Sequence, residues 1–220
     1  MSAPATIVIV GASLAGARAA ETLRDEGFAG RVVLLGEEDE PPYERPPLSK
    51  TYLRGESERA AARVHPEGFY AERGIELRTG VRVDALDAAA GTVMLADGER
   101  LRFDRLLLAT GAAPRRLPVP GADLDGVLLL RTLPDSDALR ARLVQRPAVV
   151  VVGAGWIGCE VAASARQMGC EVTMLDVADL PLAGVLGPQM GAFYRDVHAA
   201  NDVRFLGGTG VEAVEGAGRV

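Results

Sequence analysis

Ile7-Val8-Ile9-Val10-Gly11-Ala12-Ser13-Leu14-Ala15-Gly16 and Val149-Val150-Val151-Val152-Gly153-Ala154-Gly155-Trp156-Ile157-Gly158 are two versions of one pattern. In each, a β-branched run leads into a glycine-rich turn and then into an amphipathic helix. An acid ends the next strand, Glu37 in the first unit and Asp176 in the second, each roughly two dozen residues past the first glycine. The first glycine (Gly11, Gly153) permits the tight turn. A small residue at the middle position (Ser13, Gly155) lets a pyrophosphate approach the backbone. The third glycine (Gly16, Gly158) lets helix and strand pack closely, and the helix N-terminus offers N–H groups and its dipole to phosphate. Ser13 is a small departure that a hydroxyl near phosphate tolerates. One such unit holds one dinucleotide, so two units predict two, and electron passage between them. The plain alternative is a pair of glycine turns in an α/β fold that binds nothing. The strand, helix and acid around each turn argue against it.

The 220 residues leave room for one large domain or two small ones. Hydrophobic residues make up 48% and charged residues 25%, the composition of a soluble globular protein. A net charge of -6 argues against nucleic acid as the partner. No apolar run approaches membrane-spanning length, and Ile7–Val10 is too short for a signal-peptide core, so the expectation is a cytoplasmic protein without membrane partners. Cys159 and Cys170 lack Cys-x-x-Cys spacing and read as buried structural thiols. No zinc-type cluster is present, so no metal site is expected. His65 and His198 stand in polar surroundings and read as surface residues.

Along the chain, Thr6–Val10 and Arg31–Leu35 read as strands flanking a helix over Leu14–Glu26 that stops near Gly27. Pro41, Pro42, Pro46 and Pro47 make Glu38–Ser49 a shaped loop. Ile75–Leu77, Val81–Leu86, Thr92–Leu95 and Leu101–Phe103 read as short strands of an antiparallel insertion, with Asp97-Gly98 as a hairpin turn. Leu106–Gly111 returns as a buried strand, and Ala112–Asp125 reads as a linker. Val211–Val214 reads as the start of another strand, after which the sheet has no closing strand. The expected class is α/β, with two Rossmann-like units, over residues 1–112 and 147–220, joined by a connecting segment over 113–146.

Lys50 is the only lysine, all other cations being arginine. Arginine cannot replace lysine where a compact point charge must reach a confined site. Chance survival of one loop lysine is the alternative, but its place at the end of a proline-rigid loop points to function.

Pro42-Tyr-Glu-Arg-Pro-Pro-Leu-Ser-Lys50, Leu108-Ala-Thr-Gly111 and Leu130-Arg-Thr132, together with both fingerprints, resemble the FAD-dependent ferredoxin reductases. That family serves cytochrome P450s and ring-hydroxylating dioxygenases, and is related to rubredoxin reductase and apoptosis-inducing factor. The resemblance runs from about Thr6 to Val220. It implies FAD in the first unit and NADH in the second, with electrons passing to a small iron–sulfur ferredoxin. It assigns Gly11, Ser13, Ala15, Gly16, Glu37, Arg45, Lys50, Val83, Ala109, Thr110, Gly111 and Arg131 to the FAD side. Gly153, Gly155, Trp156, Ile157, Gly158, Glu160 and Asp176 fall on the NAD side. Lys50 and Glu160 are the candidate catalytic pair. Family members continue into further NAD strands, a Gly-Asp segment and a C-terminal domain, so the chain reads as a fragment. The loop before Lys50 has no cysteine where related peroxide, oxidase and CoA-disulfide enzymes carry one. Two rival readings stay open: a non-turnover NADH sensor resembling apoptosis-inducing factor, and a truncated nucleotide-binding module without activity.

Four finer expectations follow. Asp176 selects NAD, because Val177–Leu182 holds no arginine for a 2′-phosphate. Trp156 stacks on the flavin or nicotinamide, against an alternative of packing on the linker. Lys50 and Glu160 form an ion pair across the domain interface, beside flavin N5. Arg54, Arg59, Arg63 and Arg73 offer a docking face for an acidic ferredoxin, against an alternative of ordinary solvated arginines.

Overall fold

A computed structural model describes residues 5–218 and Val220. Its contacts divide the chain into two compact units, one built from the stretches ending at Glu44 and spanning Ala60–Ala112, the other from Arg45–Arg59 and Ala113–Val220. The proline-rich segment ahead of Lys50 is therefore split, and Lys50 itself belongs to the second unit.

The first unit is built on four parallel strands in the order β3-β2-β1-β7. These are β1 (Thr6–Val10), β2 (Arg31–Leu35), β3 (Ile75–Arg78) and β7 (Arg105–Leu108), with helix α1 (Leu14–Asp25) after β1 and the short α2 (Phe69–Glu72) before β3. Alternation along the strands sorts the side chains. Ile9, Val32 and Leu34 pack with Ala17 and Ala20 of α1, together with Tyr70 and Ile75. Val8, Val10, Val33 and Leu35 point the other way, onto Val93, Leu95 and Leu101. Those three belong to an antiparallel sheet of β4 (Val83–Asp87), β5 (Thr92–Leu95) and β6 (Arg100–Arg102). Both faces of β1 and β2 are thus covered, which is why these two strands read as nearly unbroken apolar runs. The Asp97-Gly98 turn is present, with Gly98 at φ 90° and the Asp97 carboxylate accepting from the Glu99 N–H at 2.9 Å.

Two expectations need correction here. Ile75–Leu77 is not part of the antiparallel insertion, because Ile75–Arg78 pairs in parallel with Val32–Leu35. Its short apolar–polar alternation suits either kind of edge, so periodicity alone could not assign it. Strand β7 is not buried: Leu107 is 40% and Leu108 59% exposed, at an edge of the sheet.

The second unit has three parallel strands in the order β10-β9-β8, namely β8 (Ala148–Val152), β9 (Glu171–Leu175) and β10 (Val203–Leu206). Four helices accompany them: α3 (Leu133–Leu143), α4 (Trp156–Gln167), α5 (Ala183–Leu186) and α6 (Pro188–Ala200). Ala162, Ala165, Cys170, Val172 and Met174 share a core with Leu143 of α3 and Leu53 of the Arg45–Arg59 segment. Helix α3 starts with a capping box, in which the Asp135 N–H donates to Thr132 and the Thr132 N–H donates to the Asp135 carboxylate. Val211–Val214, expected as a strand start, is irregular, with the Val214 N–H donating to the Pro120 carbonyl at 2.9 Å.

Candidate functional site

In the first unit the turn after β1 meets the end of β7. The Gly11 N–H donates to the Leu35 carbonyl and the Ala109 N–H to the Val10 carbonyl. A Cβ on Gly11 would lie 2.1 Å from the Ala109 carbonyl oxygen, so only glycine lets these backbones approach. A Cβ on Gly16 would lie 2.0 Å from the Gly11 oxygen, which is the helix–turn contact the third glycine serves. Ser13 is the N-cap of α1 yet makes no side-chain capping bond, and the first turn holds no acid. The α1 N–H groups and dipole therefore face the carboxyl ends of the strands without a competing anion. Glu37, just past the end of β2, has a side chain that is 72% exposed, with Arg82 at 3.7 Å. Ala15, Thr110 and Gly111 are exposed and Val83 half-buried.

The second unit repeats the arrangement more fully. A Cβ on Gly158 would lie 1.9 Å from the Gly153 oxygen, whereas one on Gly153 or Gly155 would meet nothing within 4 Å. Gly153 still needs its place, with φ at 103°. Gly155 caps α4 without a side-chain bond, and again the first turn carries no acid. Asp176 is held in place: its carboxylate accepts from the Ala154 N–H at 2.6 Å and the Ala178 N–H at 2.8 Å. Trp156 and Ile157, at 47% and 50%, stand exposed at the start of the helix. Trp156 meets the Tyr194 ring edge-on, with ring centroids 6.5 Å apart.

The expected ion pair is present. Lys50 Nζ lies 2.7 Å from Glu160 Oε1 and also donates to the Pro46 carbonyl at 3.2 Å. It forms within one compact unit, in which the Pro46–Ser49 turn packs against α3 and α4. The Lys50 side chain is 42% exposed, and pairs that open contribute only about 0.2–1 kcal/mol. Arg45 donates to the Arg131 carbonyl at 2.5 Å, bringing two of the assigned residues together.

Sequence reading missed the serines around this pair. Ser49 Oγ donates to Glu160 Oε2 at 2.5 Å. Ser164 Oγ donates to the Ser49 carbonyl at 2.7 Å, and Ser136 Oγ to the Leu48 carbonyl at 2.8 Å. Glu160 and Ser164 lie four residues apart on α4, so a helix placed from the sequence already puts them on one face. Tyr52 adds a further tie, its hydroxyl donating to Asp137 at 2.7 Å while Arg59 reaches the other oxygen of the same carboxylate at 2.5 Å.

Other expectations resolve plainly. Both cysteines are free and buried. Burial, with Glu160 and Asp176 adding to it, pushes the Cys159 thiol up to about 11, so it is inert as a nucleophile. The histidines are not surface residues: the His65 side chain is 7% exposed and stacks on Phe69, and His198 is buried in α6. The four arginines do not form a free positive face. Each meets a carboxylate: Arg54 with Glu56, Arg59 with Asp137, Arg63 with Glu67 and Arg73 with Asp25. Among the described residues no cluster of three or more His, Cys, Asp or Glu could hold a metal, and no helix is long and apolar enough to cross a membrane.

Two glycine turns, two helix starts without a side-chain cap and two strand-end acids thus recur, one of each in either unit. Residues 5–220 match the family model described as pyridine nucleotide-disulphide oxidoreductase, and the chain belongs to that family. It is 40% identical to rhodocoxin reductase of Rhodococcus erythropolis over 212 residues, 96% of this chain and 50% of that protein. It is 43% identical over 215 residues to the biphenyl dioxygenase system ferredoxin–NAD(+) reductase component of Paraburkholderia xenovorans, covering 98% of this chain and 52% of that one. The crystal structure of the ferredoxin reductase for the CYP199A2 system from Rhodopseudomonas palustris superposes with a TM-score of 0.93 at 38% identity, over 97% of this chain and 52% of that chain. The chain thus spans about half the length of the relatives it matches.

Proposed function

We propose that this chain is the nucleotide-binding portion of an NADH-dependent flavoprotein reductase that passes electrons to a small iron–sulfur ferredoxin. FAD is assigned to the 1–112 stretch and NADH to 147–220, with 113–146 as the connection. The observation that carries this reading is the duplicated helix start: α1 and α4 both begin without a side-chain cap or an acid in the first turn, each behind its own glycine turn. The open space above Gly155 fits a pyrophosphate at the second start. Bound flavin supplies the chemistry of taking two electrons from NADH and releasing them one at a time.

The protein's share is binding, orientation and charge. Glu37 accepts from the ribose hydroxyls of the first nucleotide and Asp176 from those of the second. Glu160 keeps Lys50 cationic and fixed, and its Oε1 is free to take a nicotinamide carboxamide donor in place of the lysine. The electron acceptor follows from the relatives, which are named as ferredoxin reductases serving oxygenase systems. A ferredoxin serving a P450 or ring-hydroxylating oxygenase is the partner assigned, and the cytoplasm, where NADH is replenished, the compartment.

The experiment uses the protein at the length of its relatives. Its absorbance spectrum should show bound flavin, and NADH should reduce a small iron–sulfur ferredoxin catalytically. A preparation that binds neither flavin nor NADH would overturn the reading. So would reduced flavin that persists in the presence of oxidised ferredoxin.

A further inference from the structure

Glu160 has two carboxylate oxygens and two unlike partners. Oε1 meets Lys50, a flexible cation with a 42% exposed side chain. Oε2 meets Ser49, which is 4% exposed. The Ser49 hydroxyl has one proton, and its other acceptor among the described residues, the Pro46 carbonyl, is 3.4 Å away. At 2.5 Å the carboxylate takes it.

The backbone behind Ser49 is fixed from two helices. Ser136 of α3 is 0% exposed and donates to the Leu48 carbonyl, while Ser164 of α4 is 1% exposed and donates to the Ser49 carbonyl. The Leu48 N–H donates to the Arg45 carbonyl and the Lys50 N–H to the Pro47 carbonyl, closing the tight turn over Pro46–Ser49. Serines buried this deeply with satisfied hydroxyls hold position firmly, since moving either carbonyl would strand a buried donor. The Lys50 ammonium is held more loosely: besides Glu160 it donates to the Pro46 carbonyl at 3.2 Å, and its side chain is 42% exposed.

We propose that Ser49 is the positioning residue of this site: it anchors Glu160 through Oε2, so that Oε1 alone changes partner while the carboxylate stays in place. The proposal rests on the reading of Glu160 as a nicotinamide-facing group, and it identifies which contact is permanent and which is exchangeable. Without Ser49 the carboxylate is free to turn about its terminal bond. Lys50 then loses a steady partner, and an incoming carboxamide meets a disordered acceptor.

The lone lysine makes this measurable without turnover. An amine-reactive acylating reagent modifies one side chain only, and peptide mapping separates it from the chain's α-amino group. Ser49→Ala should raise the Lys50 labelling rate several-fold, toward about tenfold, the lower end of what one charge-assisted hydrogen bond supplies. Ser49→Thr, which restores the hydroxyl, should return it to within about twofold of the parent. In parallel, NADH affinity should fall about three- to tenfold in Ser49→Ala while ADP-ribose affinity stays unchanged, because ADP-ribose lacks the nicotinamide. If Ser49→Ala does not fold, Ser49→Cys keeps the volume with a weaker donor and should show the same changes, reduced. Labelling and the NADH to ADP-ribose ratio that both stay at parental values would overturn the proposal. A parent protein that binds neither nucleotide would instead overturn the functional reading, and the labelling arm would still decide whether Ser49 fixes the pair.

Discussion

Strands β1 and β8 carry nearly the same residues into the same glycine turn, yet they meet different surroundings. Val8 is 0% exposed, while Val150, its counterpart two residues into the run, is 62% exposed. Val10 is 9% exposed and Val152 is 50%. In the first unit the β4–β6 sheet lies over that face through Val93, Leu95 and Leu101. In the second unit α4 covers one face, and among the described residues nothing comparable covers the other. A β-branched run therefore specifies a strand and its turn, but not how many of its faces are covered. What recurs between the units is the machinery at the carboxyl ends of the strands, where the turn and helix start depend on local sequence alone.

That distinction is sharpest at the glycines. Gly16→Ala and Gly158→Ala should each cost about 3 kcal/mol or more, enough to abolish folding of a marginal domain. The new methyl would press on backbone, at 2.0 Å from Gly11 O and 1.9 Å from Gly153 O. Gly155→Ala, with nothing within 4 Å, should leave stability within about 0.5 kcal/mol while weakening NADH binding. Thermal unfolding and nucleotide titration separate the two kinds of glycine. An equally destabilised Gly155→Ala would mean the open space above it is needed for the fold rather than for a ligand.

The paired valines give the next effect down. Val8→Ala removes two methyl groups from a closed interior and should cost about 2 kcal/mol. Val150→Ala should cost less than about 0.5 kcal/mol, because its side chain is mostly in water in this chain. Urea unfolding of the two variants tests the contrast. Equal losses would show that the exposed face of β8 is covered in solution.

At the acids the units differ again, with Glu37 open and Asp176 clamped by two backbone N–H groups. Replacing Asp176 by Ser and Val177 by Arg should lower the preference for NADH over NADPH by about tenfold or more. Removing the carboxylate also frees the Ala154 and Ala178 N–H groups, so some stability is lost with it. The ratio of kcat/KM for the two coenzymes, measured in a protein of the relatives' length, is the test. An unchanged ratio would remove Asp176 from the specificity assignment.

The turns, the acids and the first βαβ boundaries were legible because each rests on local chemistry: a glycine requirement, a capping position, a strand-end acid. The Lys50–Glu160 pair joins distant segments and was reached through the lone lysine together with the family resemblance. Helix α3 was missed although Thr132-Leu-Pro-Asp135 carries a capping box, because the segment lay inside what composition marked as a connection. Helix α6 was missed although Gly187-Pro188 marks its start. The serine ladder was out of reach, since Ser136 and Ser164 meet Leu48 and Ser49 only once distant segments are folded together. Burial failed for the same reason at β7 and at both histidines. Strand edges and ring orientations are set by tertiary neighbours, and no window of sequence contains them.

Those histidines supply the smallest contrast, one in each unit. Burial holds the His198 imidazole below its ordinary pKa, and no charged neighbour modifies that. Burial also lowers His65, where Glu21 at 3.5 Å opposes the shift while Arg18 and Arg73 assist it. For both, the folded state binds fewer protons than the unfolded chain once pH nears the ordinary value of about 6.5. Each therefore contributes full stability above that value. The contribution falls as pH drops through it, and the fall continues until the folded-state pKa is reached. Protonated His65 would gain a carboxylate partner, whereas protonated His198 would gain none, so acid should weigh more heavily on the second unit. His198→Gln should flatten the decline of the thermal midpoint between pH 7.5 and 5.5, values spanning the imidazole range of roughly 6.5 ± 1. His65→Gln should flatten it less. A parental slope retained in His198→Gln would show that the buried imidazole of α6 is not what makes the chain acid-sensitive. A larger effect at His65 would show that its two arginines outweigh Glu21.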